Sequence, residues 1–336
     1  MSDTSPQGVL VCDKPQGLTS HGVVSRIRRW YGTRKVGHAG TLDPMATGVL
    51  VLGLGRGTKL LGYITGVSKT YLATIRLGSA TPTDDADSEP DLFAEASALS
   101  AVTDTRIAQG VSALTGPIDQ VPSAVSAIKV NGQRSYARVR AGEEVELKAR
   151  RVEISNFTIL DTRYSVAEGH IDVDVEVDCS SGTYVRALAR DLGTSLGVHG
   201  HLTALRRTRV GAFGLDQAVT IPDDLDTEAP ALTPLAEVAR TLLLSVHVDA
   251  GEAKALMQGK IIPWQAGDIV PARASDSSTV DAADAGAAVE VAGGAEHEGG
   301  ASAEVAVIFG TELVSIAEVR ADGGLKSLTA FAIDLA

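Results

Sequence analysis

The stretch GHAGTLDPMATGVLVLGLGRGTKL, residues 37–60, places a single carboxylate, Asp43, between a glycine-studded turn and an apolar run. His38 precedes the acid, and Arg56 and Lys59 follow it. A carboxylate so flanked can act as a nucleophile, because nearby cations favour its charged form. An acid ahead of Pro44 is also an ordinary turn residue, so the assignment depends on the rest of the chain. Other chemistries fail on spacing. Gly53, Gly55 and Gly57 lead to Thr58 and Lys59, whereas a phosphate-binding loop needs a longer gap and the order Gly-Lys-Ser/Thr. A dinucleotide fingerprint fails because the third glycine comes one residue early and no βαβ unit accompanies it. No serine sits in a nucleophile elbow, and the seven histidines lack metal-ligand spacing. Paired catalytic carboxylates would require a partner acid, and the sequence around Asp43 supplies cations instead.

The elements that must position Asp43 read as mixed α+β. GVLVC (8–12) and TGVLVLGLG (47–55) are short, continuously apolar runs that predict buried strands, and KTYLATIRLG (69–78) predicts a third. Thr19 or Ser20 can cap a helix through HGVVSRIRRWY, which Gly32 ends. DTRIAQGVSALTG predicts a helix with a glycine stop, and Asn131-Gly132 is the strongest local turn signal in the chain. RRVEISNFTIL and HIDVDVEVDCS alternate with a period of two, as strands with one wet face do. GTYVRALARDLGTSLG predicts a helix with Tyr184, Leu188, Leu192 and Leu196 on one apolar face and Arg186 and Arg190 on another. Long antiparallel strands with few helices favour α+β over a doubly wound sheet.

With 336 residues the chain can hold two domains, and the composition shifts after about Ser245. Residues 1–245, which carry Asp43, are read as one domain and 246–336 as a small β-rich domain. VHVDAGEAKALMQGKIIPW predicts a strand, a short helix and a turn. VAVIFGTELVSIAEVRADGGLKSLTAFAI predicts two strand-like runs around a glycine turn. Between them, residues 273–304 are rich in Ala, Gly, Ser and acids, and cannot bury enough apolar area to offset ordering entropy. They are predicted to be disordered. The net charge of −12 conceals an uneven distribution. No acid lies between Asp13 and Asp43, where Lys14, Arg26, Arg28, Arg29, Arg34 and Lys35 fall. Further basic groups stand at Lys129, Arg134, Arg138 and Arg140, and at Arg206, Arg207 and Arg209. A basic face can therefore coexist with acidic loops, although solvated faces explain the charges equally well. Cys12 and Cys179 form no disulfide framework. The N-terminal apolar run is too short for a signal peptide and nothing approaches a membrane span, so a soluble cytoplasmic chain is expected.

Six blocks carry a resemblance. DKPQGLTSHGVV, VGHAGTLDPMATGVLVLGLGRGTKL, KTYLATIRLG, SAIKVNGQRSYARVRAG, CSSGTYVRALARDLG and HLTALRRTRVGAFG follow one another in the order and spacing of the bacterial tRNA pseudouridine-55 synthases, the TruB family. The resemblance covers roughly residues 8–216, and the C-terminal segment loosely resembles that family's small RNA-binding PUA-type domain. It implies a pseudouridine synthase fold, with a mixed, largely antiparallel sheet. It also implies isomerisation of uridine to pseudouridine in the T arm of tRNA by a monomer. That reaction breaks the N1–C1′ bond, turns the uracil over, rejoins it through C5 and releases the C5 proton. Nothing is oxidised or hydrolysed, so no cofactor or metal is called for.

By resemblance Asp43 is the nucleophile. Arg186 matches the family arginine that pairs with it, although an exposed helix arginine fits the periodicity almost as well. Tyr71 matches the active-site tyrosine that stacks on the base and is suspected of handling the C5 proton; a core aromatic fits its strand position too. Leu205 matches an apolar residue lining the pocket, and Tyr184 of the same block as Arg186 is counted with the substrate-binding residues. The target uridine must flip out of its stacked loop. His38 matches the histidine that fills the vacated space, where an imidazole can stack on bases; a turn histidine bonded to backbone is the plainer alternative. Lys14, Arg34, Lys129, Arg134 and Arg138 are then expected to hold phosphates. An RNA-folding chaperone would use the basic clusters equally well but would not need Asp43, Tyr71 and Arg186 together. An RNA-guided subunit working with protein partners is disfavoured by the compact spacing and the lack of long basic tails.

Overall fold

The computed structural model describes residues 5–123, 147–264 and 303–333, with the backbone alone of 129–130, 133–134 and 269–270. Ten strands form the first sheet: β1 (Gly8–Lys14), β2 (Val36–Ala39), β3 (Thr47–Leu54), β4 (Lys69–Leu77), β5 (Gly116–Gln120), β6 (Arg150–Ser165), β7 (His170–Cys179), β8 (Gly200–Val210), β9 (Phe213–Gly214) and β10 (Val219–Thr220). Their order is β10-β1-β3-β8-β4-β7-β6-β5, with β2 on β3 and β9 on β8. Only β1–β10 and β3–β8 run parallel; the other pairs are antiparallel. The fold is α+β with a mixed, largely antiparallel sheet.

Sequence pattern tracks burial along the sheet. Strand β7 alternates strictly, with Ile171, Val173, Val175 and Val177 buried and the acids between them partly exposed. Strands β1 and β3 carry continuous apolar runs because both of their faces are covered. On one face Leu10, Cys12, Leu50 and Leu52 meet Val23, Val24 and Ile27 of helix α1 (Ser20–Trp30). On the other face Val9, Val11, Val49 and Val51 share a core with Ala306, Ile308, Leu313, Ile316 and Phe331 of the C-terminal region. Each such aliphatic side chain contributes about 2 kcal/mol relative to exposure. Thr19 caps α1 by accepting from Gly22 N at 2.9 Å.

Two further helices pack on the inner face of β4, β7 and β8: α2 (Asp104–Ala113), capped by Thr103, and α3 (Val185–Leu196). The apolar stripe of α3 is Val185, Leu188, Leu192 and Leu196. Tyr184 belongs to the N-cap rather than to the stripe, because the helix starts one residue later than its spacing suggests. Residues 129–130 and 133–134 form a short antiparallel pair; Asn131 and Gly132 between them, where a turn is expected from the sequence, lie outside the described residues.

The second sheet begins at Ser245. Its strands are β11 (Ser245–His247), β12 (Ile262–Pro263), β13 (Ile269–Val270), β14 (Glu304–Phe309), β15 (Glu312–Val319) and β16 (Gly324–Ala330), in the order β12-β16-β15-β14-β11-β13. Helix Ala250–Met257 opens with a capping box between Asp249 and Glu252. The last region forms three strands rather than two, because the Asp322–Gly323 turn adds a hairpin return. The segment predicted to be disordered lies outside the described residues as far as 302, and Glu304, counted in it, starts β14. Lys59 ties the two sheets, donating to the Ala330 carbonyl at 2.5 Å with its ammonium 5.3 Å from the Phe331 ring centre.

Candidate active site

Asp43 sits in the connection between β2 and β3, whose antiparallel pairing brings the loop ends together. The loop is pinned from several sides. Ser20 Oγ donates to the Leu42 carbonyl at 3.0 Å and accepts from Leu42 N at 2.8 Å. Ala46 N closes a turn onto the Asp43 carbonyl at 3.1 Å. Gly48, at φ +101°, lies against Arg207 so closely that a Cβ would fall 2.1 Å from the Arg207 carbonyl. This contact is where β3 and β8 pair, so glycine there lets Arg207 approach the loop.

Arg207 is nearly fully buried and donates through Nε to the Val49 carbonyl at 2.7 Å and through Nη2 to the Gly40 carbonyl at 3.1 Å. It was read from the sequence as part of a basic cluster; it faces inward and holds the Asp43 loop instead. Strand geometry explains the rest of the wall. Leu205 and Arg207 are two apart on β8 and oppose Ala73 and Tyr71 on β4, so all four share the inner face. Tyr71 and Leu205 are both about 8% exposed and line, with Asp43, Tyr184, Arg186 and Arg207, a pocket of about 290 Å³.

Arg186 reaches Asp43 from α3. Its Nε is 3.1 Å from Asp43 Oδ2, and its Nη1 is 3.2 Å from Asp85 Oδ2 and donates to the Thr83 carbonyl at 2.7 Å. The helix face expected to be polar is therefore buried, because it packs on the turn at 81–87 and not on solvent. Asp85, about 1% exposed, also accepts from Thr83 Oγ1 at 2.6 Å and Asp87 N at 3.0 Å. So a partner acid does exist, bridged to Asp43 by one guanidinium. Gln120 orders the start of α3: its Oε1 accepts from Tyr184 N at 2.8 Å and its Nε2 donates to the Tyr184 carbonyl at 3.1 Å.

Electrostatics follow from this enclosure. Burial pushes the Asp43 carboxyl above the usual carboxylate range; Arg186 opposes the rise most strongly, Asp85 adds to it, and Lys14 and Arg207 counter it. The Asp43 side chain keeps 37% of its exposure, so the carboxylate remains open to the pocket. Burial also raises the Tyr71 hydroxyl, with Arg207 pulling it back down. Burial lowers His38, which is half-buried on β2 opposite Leu52 and stands outside the pocket lining.

The phosphate contacts divide. Lys14 is fully buried, and its ammonium donates to the carbonyls of Leu18 at 2.6 Å, Pro15 at 3.0 Å and Pro44 at 3.4 Å. It is corrected from a phosphate ligand to a brace beneath the residue after Asp43, and burial lowers its pKa to about 8. Arg34 is exposed after α1, as a phosphate contact would be. The side chains of Lys129 and Arg134, and all of Arg138, lie outside the described residues. Part of the basic α1 surface faces the chain's own acids: Arg26 approaches Asp223 at 3.6 Å and Arg29 approaches Asp226 at 3.7 Å.

Asp85 and Arg207 were the residues missed. Asp85 was one acid among many in TDDADS, with nothing local to single it out. Arg207 could have been found, because it lies two residues from Leu205 on a strand and so shares its face.

Comparison with known proteins places this arrangement. Two solved structures share the fold, that of the pseudouridine synthases, at 22% identity. One, described as an H/ACA RNP bound to a substrate RNA containing 2′-deoxyuridine, has a TM-score of 0.65 and covers 97% of this chain and 85% of that chain. The other, an archaeal box H/ACA sRNP Nop10–Cbf5 complex, has a TM-score of 0.64 and covers 98% of this chain and 87% of that chain. Residues 28–185 match the TruB family pseudouridylate synthase N-terminal domain, and residues 186–244 match the tRNA pseudouridylate synthase B C-terminal domain. The tRNA pseudouridine synthase B of Paenarthrobacter aurescens is 57% identical over 255 residues, 76% of this chain and 80% of its own. That of Nocardia farcinica is 58% identical over 253 residues, 75% and 81% of the two chains. The chain belongs to the TruB family of pseudouridylate synthases. It is an isomerase.

Proposed function

We propose that the protein isomerises uridine 55 in the T arm of tRNA, with Asp43 as the covalent nucleophile. The observation that carries this reading is an open carboxylate at the head of a base-sized pocket, held by a guanidinium 3.1 Å away. Family membership supplies the reaction, uridine to pseudouridine in tRNA. The N1–C1′ bond breaks, a C5–C1′ bond forms, C5 loses its proton and N1 gains one. Asp43 makes and releases a bond to the substrate between these events. Arg186 keeps it ionised and oriented. Tyr71 and Leu205 wall the flipped base, and because burial raises the Tyr71 hydroxyl it serves as a phenol more readily than as a phenolate base. Tyr184 borders the entrance, His38 fills the space left in the RNA, and Arg34, Lys129 and Arg134 contact phosphates.

Residues 1–245 form the catalytic domain of this proposal and 246–336 an RNA-binding one; the protein acts as a cytoplasmic monomer. The two free buried cysteines suit a reducing compartment, and among the described residues no helix is long and apolar enough to cross a membrane. Incubation with tRNA transcripts, followed by mapping of pseudouridine, tests the reading. Modification confined to the T-loop uridine supports it, and modification elsewhere with that uridine untouched contradicts it.

A further inference from the structure

Arg190 stands one helical turn beyond Arg186 on α3, and both guanidiniums reach the turn at 81–87. Arg190 Nη1 is 3.2 Å from Asp84 Oδ2, its Nη2 donates to the Val121 carbonyl at 2.7 Å, and its Nε donates to Asp191 at 2.9 Å. Asp84 has φ +58°, a left-handed backbone that a non-glycine residue keeps only when its surroundings hold it. With that conformation, consecutive carboxylates meet successive arginines of one helix: Asp84 meets Arg190 and Asp85 meets Arg186. The Asp84 carbonyl is tied to Leu202 N at 3.0 Å, and the Thr83 carbonyl accepts from both Arg186 and Ser123 Oγ, the latter at 3.2 Å.

We infer that the Arg190–Asp84 pair is a positioning clamp for the active-site arginine. Among the described residues, the Asp85 carboxylate and the Thr83 carbonyl that hold Arg186 lie on the clamped turn, and Asp43 meets it from the other side. If the turn relaxes, two of these anchors move together and the guanidinium loses its aim at Asp43. Arg190 is absent from the pocket lining, so its influence passes through Arg186. The pair is also sheltered, with side chains 27% and 13% exposed, which sets it apart from a freely solvated surface pair. The inference rests on the reading of Asp43 as nucleophile.

The test uses the full chain with Arg190→Gln and Asp84→Asn, singly and together; asparagine tolerates the left-handed backbone and removes only the charge. The readouts are melting, tRNA affinity, and the single-turnover rate of pseudouridine formation at saturating enzyme. Each folded single variant is expected to lose about 10-fold in rate with affinity changed by less than about 2-fold. The double variant should fall no further than the worse single, as for two groups acting as one unit. Wild-type rates in the folded variants, or losses that multiply in the double, overturn the clamp. If Arg190→Gln does not fold, Asp84→Asn alone decides. Asp43→Asn is run alongside: turnover retained there contradicts the nucleophile reading, whatever the clamp variants do.

Discussion

Aspartate and arginine meet in two places on one sheet, with opposite consequences. On the inner side, Arg186 (6% exposed) spans Asp43 and the buried Asp85. On the outer face, β7 carries Asp172, Asp174, Glu176 and Asp178 at alternate positions. There Arg76 takes Asp172 through two bonds of 2.8 Å, Arg163 takes Asp174, and Arg209 takes Asp178 at 2.9 Å. The hydrogen bonds from Arg163 hold Asp174 below the ordinary carboxylate range, whereas burial holds Asp43 above it despite Arg186. A cationic partner therefore does not fix an acid's chemistry. The balance of contacts decides: hydrogen bonds from Arg163 and Thr74 outweigh burial at Asp174, whereas at Asp43 burial and the Asp85 charge outweigh Arg186.

Arg186→Ala should break this contrast most severely. Single-turnover rate is expected to fall about 100-fold or more. The acid limb of its pH–rate profile should move to higher pH, because the strongest influence favouring ionised Asp43 is gone. Arg186→Lys keeps the charge without the two-pronged geometry, and should lose somewhat less rate with a smaller change in tRNA affinity. A shallower salt dependence of binding with unchanged turnover would instead mark Arg186 as a phosphate contact. Asp85→Asn should cost about 3 kcal/mol in stability, read by denaturant unfolding, because it breaks a buried pair. Its acid limb should move the other way, to lower pH, since Asp85 raises Asp43. Lys14→Met removes a cation and the brace under Pro44, and is expected to shift the limb modestly upward with a smaller loss of rate. Arg163→Ala on the outer face should leave turnover indistinguishable from wild type, and a measurable loss there would mean the outer lattice is coupled to the site.

Much of this was legible in the residues. Alternation in HIDVDVEVDC gave β7 with its faces correctly assigned, because one side of that strand meets water. The unbroken apolar runs of β1 and β3 announced burial on both sides. Asp43, Tyr71, Leu205 and Arg186 come together in one pocket, as the six blocks implied. What could not be read was the direction of charged side chains. Lys14 and Arg207 look like surface cations in sequence, yet each turns inward and donates to a carbonyl of the Asp43 loop, Pro44 and Gly40 respectively. Arg186 was placed beside Asp43 by the resemblance alone, because helix periodicity reports which face is apolar and fits an exposed arginine almost as well. Asp85 was hidden by its acidic neighbours, and only the left-handed turn at Asp84 separates it from them.

The most direct measurement compares wild type with Asp43→Asn, using tRNA tritiated at uridine C5. Isomerisation joins C5 to C1′ and releases the C5 proton, so tritium appears in water only when the reaction completes. The amide matches the carboxylate in size but is a far poorer nucleophile. The account predicts tritium release by the wild-type enzyme, none by Asp43→Asn, and tRNA affinity nearly equal in the two. Tritium release by Asp43→Asn, with contaminating enzyme excluded, would contradict it.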